Sequence, residues 1–463
     1  MPEQHPTSPA RTAGSRLRAP LAGVAAASAL ATLAACSAPG SDSGSGTSAN
    51  ATPTAVSTAV GNTPATLTLF SAAGLETYEQ GLADAFHATY PKIKVKLRVE
   101  ADTNYNTVLP RLLASDSTPD IVQPYDLLGG VKDNLLTNLD AYDKAYGWSA
   151  KVPASALAPG RVSNGVIGSG SLYEAGGSAG PLVGVFYNKE LAAKAGMTTV
   201  PTSIAGLEAV MAKAKASGIT PIVASNQDGL IGHLYNLLLG DHMGAQKLSD
   251  IVHHKPGATL DTPAAVEATQ TLQKWIKAGY FASDVNSLNQ EASYGQFTGG
   301  KGLFLFQGSW ITQTIDKNFK GKYGVFPMPP AEKGGTYAGM TSNTLAFSIA
   351  ARSKNKDAAG LFLDFLTTPA AAKVAVANGY AALTSGTSAP AEPSLSGTAT
   401  DQIQTGYATI AADNGFDSWI QNAAPAVGTK LTQQLQLLVS GKVEPAAMVK
   451  ALQSTYADAV KSS

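Results

Sequence analysis

Thr66-Leu67-Thr68-Leu69-Phe70, then Gly74, Glu76 to Thr89 and Ile93-Lys94-Val95-Lys96-Leu97-Arg98-Val99: this stretch decides the fold. The first run is short and β-rich. In the second, Leu82, Phe86 and neighbouring alanines share one face at helical spacing, and Pro91 stops the run. The third alternates apolar and charged residues, as a half-buried strand does. A helix from about Tyr105 to Ala114 and a strand Pro119-Asp120-Ile121-Val122-Gln123 follow. Strands and helices alternating at this spacing predict an α/β layer with a largely parallel sheet.

The middle of the chain repeats the pattern. Pro181 to Tyr187 reads as a strand and Asn188 opens a helix. A helix over about Ile204 to Ser217 precedes a strand at Thr220 to Ala224. Thr262-Pro263 is an N-cap with proline at the first helical position, opening a helix to about Ala278. Lys301 to Gln307, Tyr323 to Phe326 and Leu345 to Ile349 read as later strands, and the chain is mainly helical from Asp357. No internal repeat implies a solenoid.

The N-terminus reads as a targeting segment. Arg11, Arg16 and Arg18 precede an apolar, alanine-rich run from Leu21 to Ala35, too short to be read as a membrane span. Residues 1–35 are therefore expected to be a signal peptide. The run ends Leu33-Ala34-Ala35-Cys36, a lipobox pattern: small residues admit the processing peptidase and the thiol takes the lipid. Several acyl chains on Cys36 would hold the chain stably at a membrane. Residues 36–65 form the expected lipidated cysteine and linker; Ser37 to about Pro64 is rich in Ser, Gly, Thr, Ala and Pro, with an r.m.s. span of about 30 Å.

Composition narrows the function classes. Basic and acidic residues both number 33, so no basic field exists to gather nucleic acid. Three of the basic and one of the acidic residues fall in the targeting segment, which leaves a net charge of −2. Cys36 is the only cysteine, so no intrachain disulfide forms and stability must come from core size. At 463 residues two or more domains are expected.

Several ordered stretches resemble the family 1 extracellular solute-binding proteins, the sugar-binding group that includes maltose-binding protein. Pro119-Asp120-Ile121-Val122 and Gly184-Val185-Phe186-Tyr187-Asn188-Lys189-Glu190-Leu191 carry the resemblance, with Gly196 and Pro201 following in order. So do Phe297-Thr298-Gly299-Gly300-Lys301-Gly302, Gly308-Ser309-Trp310, Tyr323-Gly324-Val325-Phe326-Pro327-Met328-Pro329 and Ser353-Lys354-Asn355-Lys356-Asp357-Ala358-Ala359. The match runs in order over about 66–460. The resemblance implies a two-lobed periplasmic-binding-protein-like (type II) α/β fold with a hinge and an interlobe ligand cleft. It implies one lobe from 66–178 plus 321–368 and another from 184–307 plus 369–463, with 179–183 and 308–320 as crossovers and a third crossing near Thr368. It also implies a monomer without a cofactor, serving an ABC permease and its ATPase.

A sugar presents apolar C–H faces and many hydroxyls, so its binder needs aromatic plates and polar side chains at strand ends. Trp310 matches the family's cleft tryptophan; the alternative is a core or interface tryptophan. Trp419, in Asp417-Ser418-Trp419, resembles its late cleft aromatic. Tyr125 and Asp126 follow the Pro119–Gln123 strand, where Asp126 either accepts two hydroxyls or caps a helix. Glu76 carries the same two readings. Tyr173 and Glu174 precede the glycine-rich Gly176–Pro181 stretch, although the family's Y-x-x-P is here Tyr173-Glu174-Ala175-Gly176, without the proline. Tyr235 lies on a helix and is a candidate for contact or for packing. Gln123 and Asn104 complete the set.

Other classes fit less well. There is no Tyr-Tyr pair of the kind ferric-ion binders use. His253-His254 points apart and lacks a ligand set, which leaves a surface reading. Asp284, Asn286 and Asn289 do not complete a calcium loop. No Walker A loop is present, and a glycan hydrolase would need two carboxylates about 5–10 Å apart. A lipoprotein that only reports ligand to a membrane receptor remains a further alternative.

Overall fold

The computed structural model describes residues 53, 55–124, 126–152, 154–178, 180–340, 345–382 and 393–462, with the side chains of 102, 103, 155, 340 and 462 left aside. The opening segment folds as its pattern predicts: β1 (Ala65–Ala72), α1 (Glu76–Thr89), β2 (Ile93–Glu100), α2 (Asp102–Leu113) and β3 (Ile121–Val122). A small three-stranded antiparallel sheet spans 161–172, with its first strand in the centre. Next come β4 (Val183–Asn188), α3 (Ile204–Ala216), β5 (Ile222–Val223), α4 (Ile231–Met243), α5 (Pro263–Lys277), α6 (Gln290–Thr298), β6 (Phe304–Gly308), β7 (Tyr323–Phe326) and β8 (Gly339–Met340). The chain closes with β9 (Ser348–Ile349), α7 (Lys356–Phe365), α8 (Pro369–Ala377), α9 (Ala399–Ala412), β10 (Phe416–Asp417), α10 (Pro425–Val439) and α11 (Pro445–Ser462).

The strands form two main four-stranded sheets, ordered β9-β3-β1-β2 and β7-β4-β6-β5. In the first, β1 pairs in parallel with β2 (Leu69 opposite Leu97) and with β3 (Leu69 opposite Ile121); β9 runs antiparallel to β3. The second departs from the expected parallel sheet. There β4 is antiparallel to both β6 (Val183 opposite Gly308) and β7 (Phe326 opposite Val185), and β5 and β6 alone are parallel. The reversal follows from the long connection through α3 to α6, which brings β6 back along β4 from the opposite end.

Each sheet has its own core. Leu67, Leu69, Phe86, Ile121 and Phe362 anchor the first, with Phe86 edge-on to Phe362 and Phe365. Val183, Val185, Leu237, Trp275 and Phe304 anchor the second. Local chemistry sets the helix starts. The Thr262 side chain accepts from the Ala265 amide ahead of Pro263, and Asn188 accepts from the amides of Glu190 and Leu191.

The expected partition needs three corrections. Strand β7 belongs to the second sheet, since its apolar residues pair with β4. Helix α8 belongs to the first core, because Ala371, Ala375 and Tyr380 pack there. The first lobe is therefore 65–178 plus 345–382, and the second 183–340 plus 393–462. The segment 308–320 is an internal connection of the second lobe rather than a crossover. The linker also ends earlier than residue 65: Val56 and Val60 are half-buried against the first core, because burying their apolar surface outweighs leaving them in water. The expected signal peptide, Cys36 and most of the expected linker up to residue 54 lie outside the described residues.

Glu79 and Glu174 are among the buried carboxyls of the first lobe: Glu79 on α1 is fully buried near Ser71, and Glu174 is 6% exposed. Burial pushes both up to about 8 from an ordinary 4.5. The folded chain thus holds more protons than the unfolded one between those values, so stability is full below about pH 4.5 and declines as pH rises toward 8. His233 and His253, pushed down to about 4 by burial, act in the opposite sense below their ordinary 6.5. Between pH 6.5 and 8 the carboxyls act without the histidines. The melting temperature is expected to fall across that window, and Glu79→Gln to flatten the fall; equal slopes in a pH-scanned calorimetry series would contradict the assignment.

Candidate functional site

Strand β6 ends at Gly308, and the chain turns there into Ser309 and Trp310. A Cβ at Gly308 would fall within the Trp310 ring, so glycine is required for the indole to fold back over the strand end. The Ser309 hydroxyl donates to the Gly379 carbonyl at 2.6 Å, tying this turn to the segment that follows α8. Trp310 stays half-buried.

Trp419 reaches the same place from the far end of the sequence. Its ring centroid lies 5.8 Å from that of Trp310, with the planes tilted by 43°. His233 on α4 stands edge-on to both, at 5.6 Å from Trp310 and 4.8 Å from Trp419. The three rings form an aromatic box in the second lobe. The Trp419 indole nitrogen is buried without a hydrogen-bond partner, while His233 is buried beside Gln307 and the Tyr294 hydroxyl beside Trp310 and Gln290. Burial keeps His233 neutral and raises the Tyr294 phenol and the Asp417 carboxyl above their ordinary ranges. The box therefore offers flat apolar faces and uncharged polar atoms. Beside it, Ser225, Leu230, Ile231, Leu234, Ser293 and Gln307 help line a cavity of about 10 Å³, room for about one water.

The first-lobe candidates fare differently. Glu76, Gln123 and Asp126 follow the carboxyl ends of the adjacent parallel strands β1 and β3, the edge where α/β sheets form crevices. Two of them already cap backbone: Glu76 accepts from the Gly74 amide at 2.6 Å, and Asp126 from the Gly129 amide at 2.9 Å. The Gln123 amide donates to the Tyr105 hydroxyl at 3.3 Å. Asn104 is exposed on α2, within 3.4 Å of Glu100. Tyr173 packs with Phe70, Tyr105 and Val162, and Glu174 is buried beside it. Tyr125 lies outside the described residues.

Tyr235 is a correction. It sits inside the second core, fully buried, with its hydroxyl 2.9 Å from that of Thr269. It lies two positions after His233, which turns it to a different face of α4. Sequence reading chose the tyrosine of His233-Leu234-Tyr235-Asn236 and missed the histidine; helix phase separates the two once the inward face is known. The histidine pair His253-His254 is half-buried rather than superficial. His254 Nε2 lies 2.6 Å from the Ala423 carbonyl, and its ring meets Tyr456 edge-on. Among the described residues no group of three or more His, Cys, Asp or Glu side chains is placed to hold a metal.

Besides Ser309–Gly379, the Gln313 side-chain amide donates to Asn378 Oδ1 at 2.6 Å across the lobes, and the Lys255 ammonium donates to the Ile167 carbonyl of the small first-lobe sheet at 2.8 Å. A hollow of about 370 Å³ lies nearby in the first lobe, lined by Ser149, Ala154, Leu157, Ala158, Arg161 and Gly168. It has no aromatic face, and Arg161 is engaged with Asp143 at 2.9 Å.

Comparison with known proteins places this geometry. The chain matches the family described as bacterial extracellular solute-binding protein over residues 72–373. A putative binding protein of Brucella abortus (strain 2308) is 30% identical over 187 residues, which is 39% of this chain and 43% of that protein. The chain thus aligns with less than half the length of that relative. Among solved structures, a chitin oligosaccharide binding protein superposes with a TM-score of 0.67 at 23% identity, covering 86% of this chain and 99% of that one. The GacH receptor of Streptomyces glaucescens GLA.O, solved unliganded and with acarbose, gives 0.68 at 20% identity, with 86% and 99% covered. At these identities the likeness is one of fold: two α/β lobes with a hinge and an interlobe cleft, of type II. With the family matched over more than half of its length, the chain belongs to the bacterial extracellular solute-binding proteins.

Proposed function

We propose that this chain captures a carbohydrate, a mono- or oligosaccharide, between its lobes and delivers it to the permease of an ABC importer, without catalysing a reaction on it. The observation that carries the reading is the aromatic box of Trp310, Trp419 and His233. Aromatic faces suit the C–H faces of pyranose rings, and the uncharged polar atoms around them suit hydroxyls. The ligands named for the similar structures, chitin oligosaccharide and acarbose, favour the same chemistry. In this reading Glu76, Gln123 and Asp126 at the first-lobe strand ends supply the opposite wall of the cleft. The ligand favours the closed form because only that form touches it from both sides. Lipid on Cys36 would keep the receptor within reach of the permease.

A glycan panel screened by thermal shift, with hydrolysis followed in parallel, tests binder against enzyme; turnover of any glycan would overturn the reading. For the sugar that binds, Trp310→Ala is expected to weaken affinity by about 2 kcal/mol, or about 30-fold. Unchanged affinity in a folded variant would remove Trp310 from the site. Small-angle scattering is expected to show compaction on saturation with that sugar. Lys255→Met, which deletes the cross-lobe hydrogen bond to Ile167, is expected to enlarge the ligand-free radius of gyration; an unchanged radius would deny the contact a role in closure. Cys36→Ser is expected to move the chain from the membrane fraction to the soluble fraction, and retention at the membrane would contradict lipid anchoring.

A further inference from the structure

The loop that carries Trp419 rests on one face of α4. Asn236 is the centre of that face and is 1% exposed. Its Nδ2 donates to Asp417 Oδ1 at 3.3 Å and to the Ser418 carbonyl at 3.4 Å. Its Oδ1 accepts from the Ile420 amide at 2.8 Å. The orientation of the side-chain amide is fixed by its partners, because a backbone N–H only donates and a backbone carbonyl only accepts. These partners bracket Trp419 on both sides in sequence. One turn before Asn236, His233 meets the Trp419 ring edge-on at 4.8 Å. One turn after it, a Cβ at Gly240 would run into the Asp417 carboxyl. Residues 233, 236 and 240 share a helical face, so a single helix sets the ring, the backbone and the clearance of the loop.

We infer that Asn236 is the positioning residue of Trp419: its amide fixes the loop on either side of the indole and so sets the width of the aromatic box. The inference rests on the reading of Trp419 as a cleft residue only for its consequence; the positioning itself is a property of the sugar-free protein. A leucine at 236 would fill similar volume and offer none of the three hydrogen bonds. An aspartate would keep the acceptor for the Ile420 amide and lose both donors.

The chain has four tryptophans, and Trp148 and Trp275 are fully buried while Trp310 and Trp419 are half-buried. In a Trp310→Phe background, acrylamide quenching of the sugar-free protein reports chiefly on Trp419. Asn236→Leu is expected to raise the quenching constant and to shift the emission to the red, and Asn236→Asp to do so by less. Thr269→Val, which removes the hydroxyl partner of Tyr235 in the same core, is the control: it is expected to lower the melting temperature and leave quenching alone. Gly240→Ala keeps the amide, displaces Asp417, and is expected to shift quenching in the same direction as Asn236→Leu, so the test survives if the leucine variant does not fold. Unchanged quenching in the folded variants, with only the melting temperature lowered, would overturn the inference. No sugar is present, so this outcome is independent of the glycan panel, and failure of the functional reading would show there instead.

Discussion

Peptide groups at the end of a strand must be hydrogen-bonded without closing that end off. The fold meets this constraint with side chains. Asp126 accepts from Gly129, Glu76 from Gly74, Asn188 from Glu190 and Leu191, and Asn236 from Ile420. Each holds a turn in place through a side chain that accepts from its backbone. The edges of both sheets can then stay open to a partner, and the half-buried tryptophans stand on turns fixed from behind.

Charge follows the same logic. The second-lobe box contains rings and polar atoms kept neutral by burial. Glu79 and Glu174 in the first lobe are carboxyls that burial keeps protonated near neutrality. Such buried carboxyls cost stability as pH rises.

Much of the first lobe was legible in the sequence, because the Thr66–Val99 segment carries both periodicities and a proline stop, and α1 spans the residues its pattern marks. The second sheet was not, since strand direction depends on which end a long connection returns to, and Lys301–Gln307 carries no mark of that. The placement of β7 and α8 was missed for the same reason: their apolar residues fit either core. Trp310 and Trp419 could be singled out by the motifs around them, but their proximity joins residues more than a hundred positions apart. His233 and Asn236, within two positions of Tyr235, carry no mark of their own in the sequence, because the inward face of α4 is set by the loop that docks on it.

The account rests on the aromatic box being where solute sits. A crystal structure of the mature protein, with the glycan that most raises its melting temperature, tests this most directly. A sugar ring lying against the face of Trp310 or Trp419, within van der Waals reach and contacted from the first-lobe strand ends, is the predicted result. Density for the sugar elsewhere, such as the hollow beside Arg161, with both indoles uncovered, would contradict it.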